Sequence, residues 1–91
     1  MTTLDDVDNM RDDRDVDGLI RALKSEDEFV RSQAALSLGA LADPKAEKPL
    51  NRMRNDDPSP PAREAAAMAY RWVIGRLEEI ETSRNTARQR N

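Results

Sequence analysis

The apolar positions along this chain recur at helical spacing and rarely alternate. Leu19, Ile20 and Leu23 form a first cluster. Val30, Ala34, Leu38 and Leu41 follow at the spacing of one helix face. Leu50 and Met53 are three residues apart, and Ala66, Tyr70, Val73, Leu77 and Ile80 carry the same rhythm furthest. Alternating β-branched or aromatic runs are lacking, so no sheet is expected. The polar residues between these clusters supply the punctuation. Asp17 can cap the helix of Leu19 to Leu23. Ser25, with Glu28 three residues on, fits a capping box for the next helix. Asp43-Pro44 ends that helix and opens another, because proline suits a first turn where its missing N–H would lack a partner anyway. Residues 55–61 are a turn rich in Asp, Ser and Pro, with Ser59 or Asp57 as the cap of the last helix. At the start, Thr3-Leu4-Asp5-Asp6 can open a short helix with Leu4, Val7 and Met10 as its stripe.

The pattern repeats. Ile20, Leu23 and Asp27 match Leu50, Met53 and Asp57 at an offset of 30. Val30, Arg31, Ala34, Ala35, Leu38 and Leu41 match Ala62, Arg63, Ala66, Ala67, Tyr70 and Val73 at an offset of 32. The two extra residues fall in the proline-rich turn, where insertion costs little. A period of about 30 residues holding two helices marks a helical solenoid. The paired alanines let neighbouring helices come close.

The run from Leu19 to Asp27, then Val30-Arg31 through Leu38-Gly39 to Leu41, then Asp43-Pro44-Lys45-Ala46, resembles the short HEAT-like repeat of the phycobilisome-lyase type. The second copy is degenerate: Ala62 stands at the apolar start and Tyr70-Arg71 at Leu-Gly. The resemblance covers about residues 17 to 75. It implies an all-α fold, an α-α superhelix (a short solenoid) of two HEAT-like helical hairpins with capping segments. It divides the chain into an acidic N-terminal segment, 1–16, with a short capping helix; a repeat domain, 17–82, whose repeats are 17–43 and 44–82; and a basic flexible tail, 83–91. It also implies that Arg31 and Arg63 pair with an aspartate of the adjacent repeat, and it puts Asp43 in the same inter-repeat structural set. An anion site on the concave surface is the competing use of the arginines.

Composition narrows the chemistry. With 37% hydrophobic residues and clear periodicity, the chain can fold despite 36% charged residues. At 91 residues it makes one small domain with a thin core. The net charge of -3 argues against a duplex nucleic-acid binder. There is no cysteine and no histidine, which removes disulfides, thiolate nucleophiles, imidazole bases and the usual zinc ligands. No cofactor, metal or catalytic residue is therefore expected. Asp13, Asp15, Asp17 and Gly18 imitate half of a calcium loop, but the closing position is Lys24, and an acidic helix start accounts for them. No apolar run is long enough for a membrane span, and Met1 to Asp6 lacks the form of a signal peptide, so the expected location is cytoplasmic.

One feature goes beyond folding. Leu36 and Ala40 match Met68 and Trp72, one residue off the core register, where the resembling family is usually polar. Phe29 lies on the same face of its helix. These five residues are the candidate partner-binding set, for a protein partner of unknown identity or a second copy in a homodimer. Burial by the caps or tail is the other way to satisfy them. The expected function is a protein-protein interaction module, an adaptor or regulator. Two other readings are an accessory or lyase-like enzyme subunit, and weak nucleic-acid association through Arg84, Arg88 and Arg90.

Overall fold

The computed structural model describes residues 1–89, with side chains as far as residue 83. Its elements are α1 (Leu4–Asp12), α2 (Val16–Ala22), α3 (Glu28–Leu41), a 3-10 turn (Pro44–Ala46), α4 (Glu47–Asp56) and α5 (Pro60–Gln89). No strand occurs among the described residues. The hairpins α2–α3 and α4–α5 stack as a short α-α superhelix. α3 packs against α1, α2 and α5, and α4 packs against α5. One layer therefore runs α1–α3–α5, and the other holds α2 and α4.

Local chemistry sets where each helix begins. Thr3 closes a full capping box on α1: its Oγ1 accepts from the Asp6 N–H at 3.2 Å, and Asp6 Oδ2 accepts from the Thr3 N–H at 2.9 Å. Asp15, rather than Asp17, caps α2, accepting from the Gly18 N–H at 3.0 Å. The chain turns two residues early because Arg14 adopts a left-handed φ of 56°. Asp27, rather than Ser25, caps α3, accepting from the Phe29 N–H at 2.8 Å. Ser25 cannot serve, because its own Oγ accepts from the Asp27 N–H and its carbonyl is held by Arg31. Ser59 Oγ accepts from the Ala62 N–H at the start of α5, where Pro60 and Pro61 need no donor. At the far end of α3, Ala42 takes a φ of 52° and caps the helix with its N–H on the Leu38 and Gly39 carbonyls.

The core is built from Val7, Leu19, Val30, Leu38, Leu50 and Val73, all fully buried, with Ala34, Ala35, Ala62, Ala66 and Ala69 between the helices. Val7 makes α1 part of that core. Tyr70 and Leu77 pack half-buried against it, while Ile80 lies outside it. α3 and α5 approach closely at Gly39. A Cβ there would sit 2.8 Å from both the Cα and the Cβ of Ala69 and would meet Cε3 of Trp72. The glycine of the Leu38-Gly39 pair is thus the notch into which α5 fits. Leu41, the last residue of α3, corresponds to Val73, so residues 74–89 of α5 run on past the end of α3. That stretch includes residues 83–89 of the segment expected as a tail. It contains no proline, and its one glycine, Gly75, comes at the start, so nothing in residues 76–89 stops the helix.

Candidate interaction face

Two constellations stand out, one inside the repeat stack and one on its surface. Inside, Arg31 of α3 meets Asp57, the residue that ends α4. Arg31 Nε donates to Asp57 Oδ2 at 2.8 Å and Nη2 donates to Oδ1 at 3.0 Å, a two-pronged pair. The remaining nitrogen, Nη1, donates to the carbonyls of Ser25 and Glu26 at 2.9 and 3.1 Å. Asp57 Oδ1 also accepts from the Ser59 N–H at 2.9 Å, and the Asp57 carbonyl accepts from Arg63 Nη1 at 2.8 Å. One aspartate thereby joins the end of α4, the cap of α5 and the first turn of α3. Burial alone would push the Asp57 carboxyl up. The hydrogen bonds from Arg31 and the Ser59 N–H, with the charges of Arg31 and Arg63, outweigh that and hold it below the usual carboxylate range. The hydrogen bond to Asp57 likewise raises Arg31.

The two repeat-equivalent arginines share one device and differ in another. Each donates to a carbonyl six residues back, Arg31 to Ser25 and Arg63 to Asp57. Of the two, it is Arg31 that pairs with a carboxylate, reaching across to the second repeat. Asp43, grouped with them from the sequence, does something else: its carboxylate accepts from the Lys45 N–H at 2.9 Å and starts the 3-10 turn. The carboxylate that holds Arg31 was visible in the sequence as the match between Asp27 and Asp57 and as a candidate cap of the last helix. A competing anion would find the Arg31 guanidinium already engaged at all three nitrogens.

On the surface, the five apolar candidates fall on two neighbouring helices of one layer. Phe29, Leu36 and Ala40 share a face of α3, and Met68 and Trp72 share a face of α5. Phe29 is 68% exposed, Trp72 47% and Met68 38%; Ala40 is exposed and Leu36 half-buried. Trp72 bridges the helices: one edge of its ring closes over Gly39, and the other half stays open to solvent. α1 extends the same layer on the far side of α3, with Asp5, Asn9 and Asp12 on its exposed side. The arginines of residues 84–90 lie outside the described side chains.

Other features offer less. A groove of about 290 Å³ between α2 and α4 is lined by Ile20, Leu23, Pro49 and Met53 with charged rims. Asp15, from the calcium-like motif, is engaged as a helix cap. Among the described residues no group of acids is placed to hold a metal ion, and no helix is long and apolar enough to cross a membrane.

Paired antiparallel helices in register, joined across repeats by an arginine and an aspartate, define a helical-repeat protein. A family model for HEAT repeats matches residues 2–71, α1 included, and the chain belongs to that family. No curated protein and no solved structure matches it.

Proposed function

We propose that this protein is a small interaction module, an adaptor or regulator, that binds another protein through the α3–α5 face. HEAT repeats commonly serve protein interaction, which sets the class. The observation that carries the reading is Trp72. Its indole is held in place on one side by Gly39 yet half exposed on the other, a pre-positioned anchor with Met68 one turn away. Large aromatic side chains fixed at a surface before binding lose little entropy on association and dominate interface energetics. The repeats are closest in pattern to the phycobilisome-lyase type of HEAT-like repeat, and we assign the chain to that subclass on Val30-Arg31, Leu38-Gly39 and Asp43-Pro44.

The test compares capture from native lysate by the wild type and by Trp72→Ala. Proteins retained by the first and lost by the second, with an unchanged circular-dichroism spectrum, support the reading. Identical sets bound by both would sink it.

A further inference from the structure

We infer that α1 is a displaceable cap: it undocks from α3 and melts while the two hairpins stay folded, and so gates the α3 flank beneath it.

The argument begins at Ser37 of α3. This residue is only 2% exposed, and its Oγ has no hydrogen-bond partner. A hydroxyl is well solvated in water and is destabilising where it is sealed away unpaired. What seals it follows from helix geometry. Ser37 and Gly39 are two residues apart, about 200° around the helix, so they face opposite flanks of α3. α5 closes over Gly39, and the neighbour of α3 on the other flank is α1. The repeat gives the same answer. Ser37 matches Ala69 at the offset of 32, and Ala69 is the residue of α5 that meets the layer helix before it. Ser37 therefore lies under α1, where the next helix carries a methyl group that needs no partner.

The rest of α1 is held lightly. Val7 is its one buried residue, Met10 packs partly against the core, and Leu4 is 47% exposed. Among the described residues, no side-chain hydrogen bond or ion pair joins α1 to another helix. Its one side-chain partnership is local, between Asp6 and Thr3. The hairpins, by contrast, are tied to each other by the two-pronged pair of Arg31 and Asp57. α1 thus has little apolar contact, no polar tie and an unpaired hydroxyl beneath it, which makes its docking the first contact of the layer to open. A helix of nine residues is marginal in water without packing, so α1 melts as it leaves. Anything that binds this flank of α3 must first displace α1, and binding there is coupled to its release.

The test is hydrogen exchange of the full chain, followed residue by residue by NMR at several low urea concentrations. Amides of residues 7–12 should exchange about tenfold or more faster than those of Leu38 and Val73, yet more slowly than in an unstructured peptide. Their urea dependence should be weaker, because the opening exposes less surface than global unfolding does. Two variants locate the opening. Ser37→Ala should slow exchange in α1 about fivefold or more, since the docked state no longer buries an unpaired hydroxyl. Helix propensity does not enter, because α3 stays helical in both states. Arg63→Ala should speed exchange at Leu38 and Val73 but leave α1 unchanged, because the hairpins remain intact when α1 opens. The inference is overturned if α1 shares the protection and urea dependence of Leu38 and Val73, since the chain then opens as one unit. It is equally overturned if α1 exchanges as fast as an unstructured peptide, or if Ser37→Ala leaves its exchange unchanged.

Discussion

α3 and α5 occupy equivalent places in consecutive repeats, yet one is enclosed and the other is an end. α3 has α1 on one side and α5 on the other, so Ala35 and Gly39 are buried. The matching residues of α5 are Ala67, half-buried, and Arg71, exposed. Where the inner helix has a glycine notch to admit its neighbour, the outer helix has a long charged side chain. The close approach that Gly39 allows to α5 has no counterpart at Arg71. Arg71 gives this flank of α5 a polar character like that of a capping repeat. The difference also separates two kinds of apolar surface. Flanks between repeats are built from small residues and sealed, whereas the solvent side of the same helices carries Phe29, Met68 and Trp72 and stays open.

The largest expected effects probe the clamp between the repeats. Arg31→Ala would leave the buried Asp57 carboxylate without its two-pronged partner, at a cost of about 3–5 kcal/mol. Arg63→Ala removes one hydrogen bond to a carbonyl and should cost only about 1 kcal/mol. Urea unfolding of both variants checks the contrast, and equal losses would mean that the bridge to Asp57 is not what distinguishes the repeats. The pH dependence follows from the direction of the Asp57 shift. Its carboxyl is depressed in the folded state, so the stability it contributes is present above the unfolded value. It is lost as pH falls through the folded one, below about 4. Asp57→Asn should flatten the acid limb of a stability–pH curve.

Next in size is the pair Leu38 and Tyr70. Leu38 is fully buried, and Leu38→Ala should cost about 2–5 kcal/mol, enough to unfold much of a small domain. Tyr70 is half-buried, with the Arg54 guanidinium 4.5 Å from its ring centre. Tyr70→Ala should cost less, about 1–3 kcal/mol, because part of the ring is already wet. Thermal melts of the two variants give the order directly.

Much of this architecture was legible beforehand, for identifiable reasons. The helices and their pairing follow from apolar spacing and from a repeat that keeps Val30-Arg31 in step with Ala62-Arg63. Leu38 as core and Trp72 as off-register both follow from the same helical geometry. The caps at Asp15 and Asp27 were less legible: a backbone turn at Arg14 favours Asp15 over Asp17, and Ser25 is engaged by the Asp27 N–H and by Arg31. The end of α5 was also hidden. A basic, polar segment reads as a tail, but the sequence from Arg76 to Gln89 contains no residue that stops a helix. The role of Asp57 required knowing which residues of different repeats meet, information that spacing within one repeat does not hold.

The contrast in sign comes from two glycines. Both lie in helices, where glycine is less favourable than alanine by about 1 kcal/mol. At Gly39 that intrinsic gain is overwhelmed, because the added methyl group would run into the backbone of Ala69. Gly39→Ala should destabilise by about 1–3 kcal/mol as α3 and α5 are forced apart. At Gly75, one turn beyond Trp72 on α5, nothing lies within 4 Å of an added Cβ. Only the propensity term remains, so Gly75→Ala should stabilise the monomer by about 1 kcal/mol. Paired denaturation curves of the two variants test the contrast at its finest scale. A loss of stability at Gly75 comparable to that at Gly39 would mean that the outer helix is packed as closely as the inner one. A gain at Gly75, set against a loss at Gly39, would show that the same residue type serves close packing in one repeat and meets open space in the next.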